Sequence, residues 1–341
     1  MLSTTIGNLI EDLNPRQREI LSCRFGLESK ERKTLADLGE KYDITRERVR
    51  QIEAEAMRRV KEEAQRERLT DILNRIFNHL DNLGGVRKEE ILLTELQSIF
   101  GDKNLHHWHL RFMGELVNQP LYHLEDEEHY SFWYLKENHK RILDKFLNYL
   151  KRLITPKKED LIVRGKFHNY LVRASRASRI PDFTAINYAS VSRRFKINPF
   201  GDFGLADWEE VDPRTMGSKA YLVIKKIDKP LHFREVAEEI NKAGFDEKKA
   251  LPQTIHNELI KDPRFVLVGR GTYGLREQGY FPGTAREVIK SILKKKGAMS
   301  APKIIEAVSK HRFLEKNTIL LNLQNKKYFR RLADGRYTVI R

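Results

Sequence analysis

Residues 45–51 combine a helix-capping hydroxyl with side chains that can recognise the edges of DNA bases. Arginine can bind guanine bidentately, glutamate can accept a hydrogen bond from cytosine, and glutamine can pair with adenine. The candidate contacts are Thr45, Arg46, Glu47, Arg48, Arg50 and Gln51. Their spacing predicts a helix whose first turns face the major groove. The other interpretation is a solvated charged helix with pairs four residues apart, such as Glu47 and Gln51.

The surrounding sequence predicts three helices that would hold this segment in place. Asn14 and Pro15 are typical of a helix start, and Gly26 of a helix end. Thr34 can cap a second helix with Asp37 as its partner, and Asp43 falls where the chain must turn. Thr45 can cap the third helix, whose apolar stripe is Val49, Ile52, Ala56 and Val60. This order predicts a helix-turn-helix.

Residues 13–61 resemble region 4 of bacterial primary sigma factors. The matching pieces are LNPRQREILSCRFGL and KTLADLGEKYDITRERVRQIEAEAMRRV, of which TRERVRQIEA is the most specific. The resemblance implies recognition of the −35 promoter element and docking on the flap of RNA polymerase. It assigns base reading to Arg46, Glu47 and Gln51. It assigns groove and phosphate contacts to Arg50, Arg32 and Lys33.

Two features depart from the sigma pattern. Glu55 stands where the family usually has a basic residue near the surface that contacts activators. Only 12 residues precede Leu13, which leaves no room for an upstream domain that melts the −10 element. We therefore expect this chain not to open a promoter without another factor.

The charge of the chain favours a polyanionic partner. The sequence has 341 residues and a formal net charge of +16. Residues 281–341 carry 15 Lys and Arg against 4 Asp and Glu, whereas residues 69–136 carry 6 against 11. The last segment is therefore expected to respond most strongly to DNA. The single cysteine, Cys23, excludes an intramolecular disulfide, and no apolar run approaches the length of a membrane span, so a cytoplasmic protein is expected.

Residues 215–341 contain two copies of one unit. Thr254, Ile255, Leu259, Phe265, Gly271 and Tyr273 recur 64 residues later as Thr318, Ile319, Leu323, Phe329, Gly335 and Tyr337. An earlier set of apolar positions, including Phe245 and Phe313, recurs at an offset of 68. Each copy predicts three helices followed by a β-hairpin, with turns at GRG and DG. The sequence therefore predicts two tandem winged helices, at 215–280 and 281–341.

This pair resembles the HARE-HTH domain. The pieces that carry the resemblance are KPLHFREVAEEINKAGF, DPRFVLVGRGTYGLRE and ADGRYTVI. The family includes the structured domain of the RNA polymerase delta subunit. The second copy is diverged and basic, so the displacement of nucleic acid by the acidic tail of the delta subunit is not expected here.

The middle of the chain repeats the same order of elements more faintly. Residues 69–136 and 137–214 each predict helices followed by a hairpin, which favours two further winged-helix-like units. The alternative is one irregular helical linker domain. With residues 1–68 as the sigma-like domain, the predicted fold is mainly α with small β-hairpins.

Basic clusters mark further candidate DNA contacts. In the last unit they are Lys294–Lys296 at a helix end, and Lys326, Lys327, Arg330, Arg331 and Arg336 at the hairpin. Helix ends and wings are where a winged helix contacts phosphates. Arg173, Arg176 and Arg179 form a weaker candidate on a predicted helix. The acidic run Glu125–Glu128 is expected to avoid DNA and, if functional, to face a basic protein.

We expect neither an enzyme nor a metal protein. His106, His107 and His109 lack completing ligands, so a helix surface with a buried Trp108 is the favoured interpretation. Pro181-Asp182 and Glu247-x-Lys249 echo a nuclease pattern only loosely. The sequence predicts a sigma-like DNA-binding transcription factor that binds double-stranded promoter DNA and the flap of RNA polymerase core, with no cofactor, membrane or small-molecule substrate. The alternative is a polymerase-associated adaptor whose repeats bind protein.

Overall fold

The computed structural model describes residues 2–28, 31–66, 69–309, 311–312 and 314–340. The chain divides into two compact units, one of residues 1–196 with 203–206 and the other of residues 197–202 with 207–341. Helices connected by short antiparallel strand pairs make up both units, so the mainly α fold class is confirmed. The division into five domains stays a prediction.

The first unit begins with four helices. They are α1 (Leu2–Glu11), α2 (Pro15–Phe25), α3 (Leu35–Tyr42) and α4 (Arg46–Arg66). The Asn14 side chain accepts a hydrogen bond from the Gln17 N–H, and Gly26 ends α2 in the left-handed conformation. Thr34 and Asp37 form the reciprocal capping box at the start of α3. The predicted helix starts and stops of this module are therefore confirmed.

Residues 69–135 add three helices and a three-stranded antiparallel sheet. The elements are α5 (Leu69–Asn82), β1 (Val86–Lys88), α6 (Glu89–Phe100), α7 (His107–Val117), β2 (Leu121–His123) and β3 (Phe132–Tyr134). The sheet order is β1-β3-β2, so the first strand pairs with the last. The hairpin was predicted, but the strand β1, which completes the sheet, was not.

One apolar core joins these two parts of the first unit. It contains Leu2 and Ile6 of α1, Phe25 of α2, Val60 of α4 and Phe112 of α7. The rings of Phe25 and Phe112 meet edge to face, with their centroids 5.0 Å apart. The sigma-like helices and residues 69–135 therefore share one hydrophobic core.

The first unit ends with further helices and a short hairpin. The elements are α8 (Glu137–Ile154), a 3-10 turn (Thr155–Lys157), α9 (Lys158–Ile162), α10 (Phe167–Ser178), α11 (Asp182–Val191), β4 (Phe195–Ile197) and β5 (Phe203–Leu205). Strands β4 and β5 pair only with each other. In residues 137–206, all of which the structure describes, the first strand is β4, and it comes after α10 and α11.

The second unit contains the repeat. Its first copy is α12 (Met216–Ile227), β6 (Leu231–His232), α13 (Phe233–Ala243), α14 (Pro252–Lys261), β7 (Phe265–Gly269) and β8 (Thr272–Leu275). Sheet order β6-β8-β7 matches that of the 69–135 segment. The second copy, after a 3-10 turn at Arg276–Gln278, is α15 (Ala285–Lys296), α16 (Ala301–Ser309), α17 (Lys316–Leu323), β9 (Phe329–Arg331) and β10 (Tyr337–Val339). In the second copy, a single β-bridge between Met299 and Tyr337 takes the place that strand β6 has in the first copy.

The residues that recur in the two copies form their cores. Buried pairs are Ile224 and Ile292, Val236 and Ile304, Ile240 and Val308, Ile255 and Ile319, Leu259 and Leu323, and Phe265 and Phe329. The sequence repeat is therefore a repeat of packing positions; Phe313 lies outside the described residues. No helix among the described residues has the length and apolar character needed to cross a membrane.

Candidate nucleic-acid interface

Helix α4 buries one face and exposes the predicted DNA-reading side chains on the other. The buried residues are Val49, Ile52, Ala56 and Val60, as the stripe predicted. Thr45, Arg46, Glu47, Arg48, Arg50 and Gln51 are all exposed. The exposed set lies at the N-terminal end of the helix, where a recognition helix contacts base edges.

The turn before α4 requires a glycine inside α3. A Cβ added at Gly39 would be 2.8 Å from the carbonyl oxygen of Ile44, which is closer than any real contact of that kind. Asp43 adopts the left-handed conformation with φ of 51°. The Thr45 hydroxyl then accepts a hydrogen bond from the Arg48 N–H at 3.1 Å and caps α4. These three residues fix the direction in which α4 leaves the turn.

The exposed side chains of α4 are held by weak pairs that DNA can replace. The Arg50 guanidinium donates to both carboxylate oxygens of Glu47, at 2.8 and 2.7 Å. These hydrogen bonds lower the pKa of Glu47. Arg48 donates to Gln51 at 3.1 Å. Both pairs are exposed to solvent, where water and salt screen them. Arg46 has no carboxylate partner in the described part of the chain.

Arg32 and Lys33 differ in what they contact. The Arg32 guanidinium lies over the rings of Trp108 and Phe25, and its Nε donates to the carbonyl of Arg24 at 2.8 Å. Desolvation there lowers the pKa of Arg32. The Lys33 side chain is exposed. Both side chains are exposed, and Arg32 in addition stacks on Trp108 of α7.

Glu55 is neutralised within its own helix. Its carboxylate accepts a hydrogen bond from Arg59 at 2.9 Å, one turn later. Glu62 pairs with Arg58 in the same way at 2.7 Å. Both acidic side chains are therefore paired with arginines of the same helix. No basic side chain occupies position 55 itself.

The C-terminal hairpin presents cations with few carboxylates near them. Lys326, Lys327, Arg330, Arg331 and Arg336 are all exposed. Arg336 pairs with Asp334 in the turn at 2.6 Å. In residues 314–340, Lys326, Arg330 and Arg331 have no carboxylate partner. Phosphates could therefore bind these three without displacing an existing ion pair.

Two other charged clusters have different surroundings. Arg173, Arg176 and Arg179 are exposed on α10 or at its end. The acidic turn, by contrast, contacts cations of its own unit, because Glu125 pairs with Arg193 and Glu128 pairs with Arg194. The acidic run is thus partly neutralised inside the unit.

The histidines of α7 fill structural roles, but the prediction for Trp108 was wrong. Trp108 is half-buried under Arg32 and Arg111, while His106 and His109 are the buried residues. The His106 ring nitrogen Nε2 is 3.2 Å from the Leu27 carbonyl oxygen, and Nδ1 of His109 accepts the His106 N–H. The chain before α7 folds back over α2, which covers the histidines.

A different trio, His123, Asp126 and His129, has metal-ligand side chains close together. His123 is the last residue of β2, and Asp126 and His129 lie in the loop that leads to β3. Their spacing, H-x2-D-x2-H, was the signal that the sequence analysis missed.

Comparison with known proteins identifies two modules. Residues 9–62 match the family model of sigma-70 region 4. Residues 214–278 match the model of the HARE-HTH domain, a helix-turn-helix domain whose description names ASXL and restriction endonuclease. The resemblances predicted from both motifs are confirmed.

Individual relatives are sigma factors. The RNA polymerase sigma factor SigA of Clostridium acetobutylicum is 36% identical over 74 residues, which are 22% of this chain and 20% of that protein. SigA of Microcystis aeruginosa is 41% identical over 61 residues, 18% of this chain and 15% of its own. RpoD of Neisseria gonorrhoeae is 39% identical over 66 residues, 19% of this chain and 10% of its own. The chain thus spans a fifth or less of these curated relatives.

Both matched families are DNA-binding transcription domains rather than enzymes. They support a DNA-binding role in transcription for the chain. The relatives match over region 4 alone, and the family match at residues 9–62 covers α2, α3 and most of α4.

Proposed function

We propose that this protein is a sigma-like transcription factor that recognises a −35-like promoter element and acts with RNA polymerase in initiation. In this proposal α4 enters the major groove. Arg46, Glu47, Arg50 and Gln51 contact bases, and Lys33 contacts phosphate. The observation that carries the proposal is the exposure of these side chains on the first two turns of a helix whose opposite face is buried.

The second part of the proposal assigns phosphate contacts to the C-terminal hairpin. Cations without carboxylate partners bind phosphates at no cost in lost ion pairs. Such contacts add affinity without sequence preference. Base reading and phosphate binding would then belong to different modules of one chain.

A footprint on promoter DNA tests this function. The full chain is incubated with a promoter library, alone and together with RNA polymerase core and a complete sigma factor. We expect protection around a −35-like sequence that the polymerase strengthens, because region 4 of the related proteins belongs to sigma factors. Uniform, sequence-independent protection in both conditions would contradict the proposal.

A second candidate, a polymerase-associated adaptor, has one observation in its favour. Helix α14 is the third helix of the first repeat copy, the position that α4 has in the helix-turn-helix. Its one Lys or Arg is Lys261 and its one acidic residue is Glu258. Leu251, just before α14, and Ile260 are each 62% exposed. Exposed apolar side chains beside a helix with few charges favour a protein partner over DNA.

Substitution of Leu251 and Ile260 distinguishes the two functions. Leu251→Ser with Ile260→Ser leaves α4 intact. If the protein is an adaptor, the double variant loses co-purification with RNA polymerase, and the wild type gives no footprint on free DNA. If the protein is a DNA reader, the variant keeps its footprint on free DNA.

A further inference from the structure

The loop between β2 and β3 is fixed by hydrogen bonds at both ends. Oδ1 of Asp126 accepts the N–H groups of Glu128 at 2.8 Å and His129 at 2.7 Å. The Tyr130 N–H donates to the carbonyl of Val191 at 2.9 Å. The Arg193 N–H donates to the Glu128 carbonyl at 2.8 Å. These hydrogen bonds therefore hold the loop backbone and the Asp126 carboxylate in place.

Three of these side chains converge with ligand atoms. Nε2 of His123 is 2.9 Å from Oδ2 of Asp126, and Nδ1 of His129 is 3.4 Å from the same oxygen. All three ligand atoms lie within 4.8 Å of one another. Tetrahedral zinc, with bonds of about 2.0–2.1 Å, places neighbouring ligand atoms about 3.3 Å apart. The trio needs only small side-chain movements to reach that geometry.

Asp144 of α8 is placed to orient one of the rings. Its Oδ1 is 3.6 Å from Nε2 of His129, the ring nitrogen on the side away from Asp126. A carboxylate at the distal nitrogen of a metal-binding histidine fixes its tautomer and leaves the other nitrogen free for the metal. The arrangement therefore has the form of a ligand with its supporting carboxylate.

The side chain of Lys140 opposes the binding of a metal ion by this trio. Its Nζ is 3.3 Å from Nδ1 of His123. When a metal binds Nε2 of a neutral histidine, the proton must be on Nδ1, and that N–H cannot accept from an ammonium. The Lys140 side chain must then turn away, and its positive charge also repels the ion.

We propose that His123, Asp126 and His129 bind one zinc ion, with water in the fourth position. Each ring would bind the ion through the nitrogen that faces Asp126 and carry its proton on the other nitrogen. The ion connects the β2–β3 loop to the middle of α8 through Asp144. This site is independent of the DNA-binding function proposed above.

Calorimetric titration of zinc chloride into the full chain, after treatment with a chelator, tests the site. We expect one zinc per chain. His123→Gln and His129→Gln should each weaken binding by more than about 100-fold, and Asp144→Asn by about 10- to 100-fold. Lys140→Met should strengthen binding several-fold. His168→Gln, an exposed histidine on α10, is the matched control and should change nothing.

Two results would overturn the proposal: no binding at micromolar zinc, or binding that His123→Gln leaves unchanged. His129 is buried, so His129→Gln could disturb folding. Asp144→Asn and Lys140→Met lie nearer the surface and predict changes of opposite sign. Equal effects of these two variants would also contradict zinc at this trio.

Discussion

Helix α4 and the β9–β10 hairpin are both exposed and basic, but they differ in how their charges are balanced. On α4, Arg50 pairs with Glu47 and Arg48 with Gln51, so donors and acceptors alternate. On the hairpin, Arg330 and Arg331 have no acidic partner within residues 314–340. Mixed donors and acceptors can distinguish bases, whereas bare cations bind any phosphate. This difference is the basis of the proposal that specificity and general affinity reside in separate modules.

Neutralising the hairpin is expected to have the largest effect on DNA affinity. The variant changes four cations to glutamine: Lys326, Lys327, Arg330 and Arg331. Each lost phosphate contact lowers the slope of log affinity against log salt by about 0.9, so the slope should fall by about 3 to 4. Near 0.1 M salt the affinity should fall by about three orders of magnitude. Fluorescence anisotropy over a salt series measures both, and the preferred site should stay the same.

The matched control removes four exposed cations from the first repeat copy instead: Lys229, Lys242, Lys248 and Lys249. The net charge changes equally in both variants. An equal fall in the salt slope for the control would show that total charge, rather than the hairpin, determines affinity.

Changing α4 is expected to remove sequence preference while leaving general binding. Arg50→Ala with Gln51→Ala removes two base contacts, each worth about 5- to 150-fold in discrimination. Selection from random DNA should enrich one site for the wild type and none for the variant. Arg58→Ala with Arg59→Ala changes two arginines further along the same helix and should keep the site. Enrichment of the same site by the Arg50 and Gln51 variant would refute the assignment to α4.

A methyl group at Gly39 should destabilise the turn that presents α4. Gly39→Ala places a Cβ 2.8 Å from the Ile44 carbonyl oxygen, which should cost about 1–3 kcal/mol of unfolding free energy. Site preference should weaken, because α4 is displaced, while the salt slope set by the hairpin stays. Gly7→Ala, in α1, has no atom within 4 Å of the added Cβ and should stabilise by about 0.5–1 kcal/mol. Denaturant unfolding compares the two, and the same sign for both would contradict this account.

The smallest expected effect is loss of the cap of α4. Thr45→Ala removes the hydroxyl that accepts the Arg48 N–H and should cost about 1 kcal/mol of unfolding free energy. Thr45→Ser keeps the acceptor and should restore most of the stability. If Thr45→Ser is as unstable as Thr45→Ala, the methyl group rather than the cap is what matters.

Local features of the sequence predicted the candidate interface well. Capping at Asn14, Thr34 and Thr45 depends on a residue type and the next three residues, so it can be recognised without a fold. The stripe from Val49 to Val60 has the period of a helix, which determined the exposed face as well as the buried one. The repeat in the second unit was visible because its core positions recur at fixed spacing.

Contacts between residues far apart in the chain could not be predicted from the sequence. Helix α1 was not predicted, although Leu2, Ile6 and Leu9 have helical spacing, because no cap or turn residue marked its start. The stacking of Arg32 on Trp108, 76 residues away in the sequence, could not be read from either residue, and the predicted phosphate contact of Arg32 stays a prediction. Nor did the sequence show that Arg193 and Arg194 of the same unit pair with the acidic turn.

The sequence alone determined which helix exposes the candidate DNA-reading side chains, because helical period and caps depend on neighbours within one or two turns. It also determined the repeated cores of the second unit. Only the tertiary structure decided which charges remain available. Ion pairs and stacked rings join residues far apart in the chain, and residue type does not reveal the partner. The same reason explains the gathering of His123, Asp126 and His129 beside Asp144, which depends on how a strand, a loop and the helix α8 pack.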